Sequence, residues 1–245
     1  MFKTRASASC VLLLLLSAGA CRPTDSAQSV AATIPPSSAK TAVDSPRVLL
    51  VGNMAPATAA SHASRDTAMF AGGCFWSMER PFDHVPGVTS TTVGYAGGHT
   101  KNPTYEQVNT RTTGHTETVL VEYDPAKVTY DKLLDVYWHN IDPITKDRQF
   151  CDGGPDYRTV IFTHGAAQHA TALRAREALD KSGRFKVPIV TEVVVDAPFW
   201  RAEEYHQHFA DRNPARYDAY RRGCGRDARL RELWGAAASP YVPEH

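Results

Sequence analysis

From Thr67 onward, short stretches rich in β-branched and aromatic residues are interleaved with longer ones whose apolar residues recur at three- and four-residue spacing. That confines the folded part to a domain holding both strands and helices. Thr67 to Ala71, Val88 to Tyr95, Glu117 to Tyr123, Thr159 to Thr163 and Ile189 to Val195 read as strands. Helices are expected from near Cys74 through Val85, over Thr129 to Asn140, over Ala166 to Lys181 and over Pro198 to Asp211, where Pro198 suits a first turn. Strands and helices neither alternate strictly nor segregate. The expected class is therefore a single α+β domain with a mixed, mostly antiparallel sheet packed by helices, a ferredoxin-like variant. Glycine-rich loops at 94–116 and 151–157 are where function should gather.

The first twenty residues have another character: Lys3 and Arg5 precede the apolar run Val11 to Leu16, followed by Ser17-Ala18-Gly19-Ala20 and Cys21. This is the layout of an export signal, and the run is much shorter than the roughly 20 residues of a membrane span. SAGAC matches a bacterial lipobox, which would lipidate Cys21, while Ala18-x-Ala20 also suits an ordinary signal peptidase. The expected organisation is a signal peptide over 1–20, an Ala/Ser/Pro/Thr-rich tether over 21–66, a folded domain over 67–235 and a short tail over 236–245. Within the tether only VLLVG, Val48 to Gly52, has strand character. The expected location is periplasmic, or lipid-anchored to a bacterial envelope.

With 27 Lys plus Arg against 26 Asp plus Glu, the chain has no strong field to gather nucleic acid or an anionic surface. Five cysteines occur, Cys10, Cys21, Cys74, Cys151 and Cys224. The first two fall in or beside the leader, which leaves an odd count in the folded part. An odd count in an exported chain argues against a purely structural disulfide framework.

Cys74 follows Gly72-Gly73 between an apolar strand and the start of a helix, where backbone amides and a helix dipole would favour a thiolate. A buried structural cysteine is the plain alternative. Phe75 and Trp76 follow it directly and can wall an apolar pocket or simply fill a core. His206 and His208 raise the thought of a metal, but no CxxC or HxxxH spacing supports one, and none is expected.

GGCFWSMER, PGVTSTTVGYAGG, NPTYEQV, GHTETVLVEYDP and DYRTVIF, in that order, resemble the A-type peptide methionine sulfoxide reductase family, and the likeness runs from about Phe70 to at least His208. The resemblance implies that Cys74 is the nucleophile, that Phe75 and Trp76 hold the substrate's S-methyl group, that Glu117 is the acid and that Tyr105 and Tyr157 are its two phenols. It also implies that Asp152 helps hold substrate. Ser77 stands where the family usually has glycine, which alters the first helical turn or offers a hydroxyl near the sulfur.

Attack on a sulfoxide requires its oxygen to be protonated or strongly hydrogen-bonded as charge builds there, and a neutral carboxyl with two phenols can do this. Burial of Glu117 would keep it neutral; an exposed strand glutamate is the alternative. Loss of methionine leaves Cys74 as a sulfenic acid, which a second thiol converts to a disulfide. Cys224, flanked by glycines in a mobile C-terminal segment, is the expected resolving thiol, with Cys151 secondary or idle. No bound cofactor is expected. The expected partners are proteins and peptides carrying methionine sulfoxide and a thioredoxin-like electron donor, with the chain acting as a monomer. The rival readings are a Cys-His hydrolase using His115 or His206 and a lipid-anchored binding protein.

Overall fold

The alternation in DTAMFAG produces β1 (Asp66–Gly72), in the interior of a six-stranded sheet. It leads through a glycine pair into α1 (Phe75–Asp83). Then follow β2 (Val88–Ala96), α2 (Tyr105–Asn109), β3 (Thr116–Tyr123), α3 (Tyr130–His139) and a two-strand hairpin of β4 (Arg148–Gln149) with β5 (Asp152–Gly153). The second half comprises β6 (Thr159–Thr163), α4 (Gly165–Lys181), β7 (Glu192–Val195), β8 (Phe199–Arg201), α5 (Phe209–Arg212), α6 (Pro214–Gly223) and α7 (Arg226–Trp234). This computed structural model describes residues 65–235. The leader, Cys21, the tether with VLLVG and the tail from 236 lie outside the described residues.

The main sheet runs β7-β6-β1-β3-β2-β8, antiparallel throughout except for the β6–β7 pair. The α+β class and the mixed, mostly antiparallel sheet read from the sequence both hold. Because side chains alternate along a strand, β1 sends Ala68 and Phe70 to one face and Met69 and Ala71 to the other. Phe70 stacks on Phe82 and Tyr137, with ring centroids 5.1 and 5.0 Å apart, which fastens α1 and α3 to that face. Leu230, Leu233 and Trp234 bring α7 into the same core, and the Trp234 indole donates to the Ile141 carbonyl at 3.0 Å.

One element differs in kind from the sequence reading. Pro198 to Asp211 is not a helix: Phe199–Arg201 pairs antiparallel with Gly94–Ala96 at the sheet edge, and only a 3-10 turn and the short α5 follow. A proline just before an edge strand costs no ladder bond, so Pro198 fits both readings, and the free edge of β2 decided between them.

Candidate active site

Cys74 is delivered to its place by backbone geometry at the end of β1. Gly73 has φ +84°, and a Cβ there would lie 2.5 Å from the Gln149 Cβ, so only glycine makes this turn. Cys74 becomes the residue capping α1, and its carbonyl accepts the Ser77 and Met78 amides at 3.0 and 3.3 Å. Because β3 runs antiparallel beside β1, its first residues lie at the same end of the sheet. There the Phe75 amide, one of the free donors of the first helical turn, donates to Glu117 Oε2 at 2.8 Å. Glu117 is thereby fixed to the residue following Cys74.

Glu117 is 3 % exposed, and burial pushes its carboxyl up to about 8, with Asp152 and Asp156 raising it and the Phe75 amide pulling it back. At neutral pH it is mostly a neutral acid. Burial pushes the Cys74 thiol well above the ordinary cysteine value, and Glu117 adds to this. The depressed thiol expected from the helix start is thus not found in this substrate-free site, because desolvation outweighs the amides of one helical turn.

Phe75, Trp76, Tyr105 and His206 form an aromatic box beside the sulfur: the His206 ring lies 4.9 Å from Phe75, 5.7 Å from Trp76 and 4.6 Å from Tyr105. Trp76 stacks on Phe209 of α5 at 3.6 Å, and its indole donates to His206 Nδ1 at 3.2 Å. Burial holds His206 down to about 4, so it stays neutral. Tyr105 opens α2, anchored by its amide on Glu203 Oε1 at 2.8 Å, and Tyr157 ends the 3-10 turn before β6. Both phenols pack against the Cys74 cluster, and burial raises both, so they remain donors. Ser77 is fully buried and its hydroxyl has no hydrogen-bond partner among the described residues.

Among the described residues, the two other cysteines are bonded to each other. Cys151 sits at the tip of the two-residue turn joining β4 and β5, and its sulfur is bonded to that of Cys224, with Cα atoms 4.8 Å apart. Among the described residues, Cys74 is the free cysteine. Cys224 does not ride on a loose tail: it caps α6, and Gly225, at φ +65°, starts α7. Cys151 therefore has a defined partner in this structure.

The sequence-predicted residues Cys74, Phe75, Trp76, Glu117, Tyr105, Tyr157 and Asp152 thus gather at one end of the sheet. Of the two histidines weighed for a hydrolase, His115 uses its ring nitrogens on the Gly98 amide and the Thr100 carbonyl at 3.1 and 2.7 Å, and His206 holds Trp76. Glu79, Asp83 and His208 bring three ligand-type atoms within 4.8 Å of one another.

A family model described as peptide methionine sulfoxide reductase matches residues 66–238. The chain belongs to this family. Among curated relatives, a peptide methionine sulfoxide reductase MsrA of Halalkalibacterium halodurans is 53% identical over 170 residues, covering 69% of this chain and 97% of the relative. One of Bacillus subtilis is 48% identical over 172 residues, covering 70% and 97%. Among solved structures, methionine sulfoxide reductase A of Corynebacterium diphtheriae matches with TM-score 0.55 and 35% identity over 61% of this chain and 76% of that one. Reduced Mxr1 of Saccharomyces cerevisiae matches with TM-score 0.57 and 30% identity over 62% and 88%. This peptide methionine sulfoxide reductase is accordingly an oxidoreductase that returns methionine sulfoxide to methionine.

Sequence reasoning missed Tyr220 and underused His206. His206 was visible beside Gln207 and His208 but read as a metal or base candidate, whereas its work is to pack the box. Tyr220 comes from α6, an element the sequence pattern did not mark; its ring meets Trp76 edge-on at 6.0 Å and its hydroxyl donates to Asp152 Oδ2 at 2.5 Å.

Glu117 is raised in the folded state from an ordinary 4.5 to about 8, so the stability it contributes is complete below 4.5 and lost as pH rises through 8. Glu79, also raised to about 8 by burial, acts in the same window. Urea unfolding from pH 5 to 9 should therefore show declining stability in the parent and a flatter profile in Glu117→Gln, a difference on the order of a few kcal/mol. Parallel profiles would show that Glu117 is not the neutral acid described.

Proposed function

We propose that Cys74 attacks the sulfur of a methionine sulfoxide whose S-methyl group rests between Phe75 and Trp76, while Glu117 protonates the departing oxygen and Tyr105 and Tyr157 hydrogen-bond to it. The observation that carries this reading is the buried, neutral Glu117 carboxyl hydrogen-bonded to the amide next to the nucleophile. Asp152, in the loop bordering the box, helps hold the substrate. Methyl pocket, oxygen donors and attacking sulfur fix three directions around a chiral centre, which selects the S epimer.

Recycling runs through both other cysteines. Cys224 follows Tyr220 by one helical turn, its amide bonded to the Tyr220 carbonyl at 2.9 Å, and Tyr220 packs on the Cys74 cluster. Its thiol condenses with the Cys74 sulfenic acid, releasing water and forming a Cys74–Cys224 disulfide. Cys151 then attacks the Cys224 sulfur, returning Cys74 as a thiol and leaving the Cys151–Cys224 bond. Cys151 is exposed, so an external thiolate can reach that bond from solvent. A thioredoxin-like dithiol supplies the electrons, and no bound cofactor is needed. The leader and SAGAC support export, with Cys21 as the lipid anchor and the donor on the same side of the membrane.

Without reductant, the parent should release two equivalents of methionine from the S sulfoxide, because the Cys151–Cys224 state leaves Cys74 free for a second attack. Cys74→Ser should release none, and equal rates on the resolved R and S epimers would overturn the pocket geometry. Quenched-flow release from Cys224→Ser and Cys151→Ser should stop at one equivalent each, with a Cys74–Cys224 disulfide seen by mass spectrometry only in the latter. A Cys74–Cys151 disulfide forming in Cys224→Ser as fast as the parent resolves its sulfenic acid would instead make Cys151 the first resolving thiol, and a parent that stops at one equivalent would remove the Cys151–Cys224 step from the relay.

A further inference from the structure

We infer that Tyr220 and Asp152 form the path by which the Cys74 thiol gives up its proton, which makes Tyr220 a further catalytic residue; the inference rests on the nucleophilic role of Cys74 given above. Tyr220 packs against the cluster that holds Cys74, bringing its hydroxyl within reach of the sulfur, and donates to Asp152 Oδ2 at 2.5 Å. A phenol has one proton and two lone pairs, so with its proton directed at Asp152 it accepts the Cys74 S–H. Thiol, phenol and carboxylate therefore stand in sequence, from a sulfur that is 7 % exposed to a half-buried carboxylate at the rim.

The chemistry needs such a path. Buried among aromatic rings, Cys74 is a thiol at neutral pH, and only the thiolate is a competent nucleophile. Glu117 cannot take that proton, since it must already hold one for the sulfoxide oxygen. His206 stays neutral and is engaged by Trp76, and His115 is occupied by backbone. The other titratable groups facing the sulfur are Tyr105 on α2, Tyr157 in the 3-10 turn and Arg226 at the start of α7; the phenols are donors, and Arg226 favours the charged form of Asp152. Asp152 is left as the acceptor.

In the step itself, the S–H bond breaks as its proton passes to the Tyr220 oxygen and the Tyr220 proton passes to Asp152. The electron pair stays on sulfur and forms the bond to the sulfoxide sulfur. Cys74 is oxidised by two electrons and the substrate sulfur is reduced by two. Asp152 later loses its proton to solvent and Glu117 regains one, so no net proton is consumed. After transfer the phenol donates to the thiolate and accepts from the protonated carboxyl, so it stabilises the charged sulfur that it helped to create.

The test uses the full chain in its Cys151–Cys224 disulfide form. Iodoacetamide labelling of Cys74 is followed against pH by mass spectrometry of the Cys74 peptide, alongside methionine release in a single turnover. Tyr220→Phe keeps the ring and its contact with Trp76; Asp152→Asn keeps an acceptor that cannot take the proton. Tyr220→Phe should move the labelling midpoint up by about one to two pH units, the scale of one hydrogen bond to a charged group, whereas Asp152→Asn, which takes a negative charge from beside the sulfur, should not raise it. Each should also slow release at pH 7 by about tenfold or more, and the double variant should lose no more than the worse single one. Loss of packing alone would not slow release in Asp152→Asn while leaving its labelling midpoint unraised. An unmoved midpoint in Tyr220→Phe, unslowed release in Asp152→Asn, or additive losses in the double variant overturns the path. Methionine release by Cys74→Ser would instead overturn the role of Cys74 itself, which separates the two failures.

Discussion

The hydrogen bond from the Phe75 amide to Glu117 joins the central sheet to the first helix at the point where chemistry occurs. It depends on three features far apart in the sequence: the glycine pair that turns β1 into α1, the antiparallel placement of β3, and the aromatic residues that keep water away. A carboxylate in water would be ionised near neutrality and useless as an acid. Here the cost of burying its charge is what keeps the proton on, and the single amide bond is too little to reverse that. The same dryness raises the thiol of Cys74, so one environment prepares the acid and handicaps the nucleophile.

That tension explains why other polar groups surround the sulfur. Tyr220 reaches in from α6 and Asp152 from the β4–β5 hairpin, and their hydrogen bond sits next to the Cys151–Cys224 disulfide, which joins the same two segments. The covalent and hydrogen-bonded links are adjacent because Cys151 precedes Asp152 and Cys224 follows Tyr220 by one turn. Ordering this rim while the disulfide is intact places the phenol against a reduced Cys74. Beneath the rim, Arg226 is fully buried, donates to the Gly72 and Asn140 carbonyls at 3.2 and 2.7 Å and lies 4.3 Å above the Phe150 ring, tying α7 to the strand that carries the nucleophile.

Much of this could be read from residues whose role is local. The alternation in β1, the apolar stripe from Leu133 to Trp138, the φ-demanding glycine before Cys74 and the β-branched run of β3 each declare their state within a few positions. The parts that could not be read depend on tertiary partners. Pro198 to Asp211 carries a helix-like beginning, yet the open edge of β2 captures Phe199 to Arg201 as a strand. α6 and α7 are Arg-rich and weakly amphipathic; the place of α7 depends on Arg226, Leu230 and Trp234 finding carbonyls and rings contributed by distant segments, and that of α6 on Tyr220 meeting Trp76 and Asp152. Cys151 and Cys224 are 73 residues apart, and no spacing rule pairs them. The pocket residues were read by resemblance, while Tyr220, which lies outside the quoted motifs, was missed.

The arrangement separates two reactions with opposite needs. Sulfoxide reduction requires a low-dielectric pocket in which a neutral carboxyl and a buried sulfur meet the substrate, whereas disulfide exchange requires a sulfur that a second protein can touch. One cysteine could not serve both, since exposing Cys74 to a bulky reductant would open the aromatic box and ionise Glu117. In the relay proposed above, a terminal disulfide at a hairpin tip, with Cys151 exposed and Cys224 one turn from Tyr220, would move the oxidising equivalent from the dry site to the surface without moving the site. A sheet end provides the rigid floor this requires, and the hairpin and helix α6 provide the short span between the two environments.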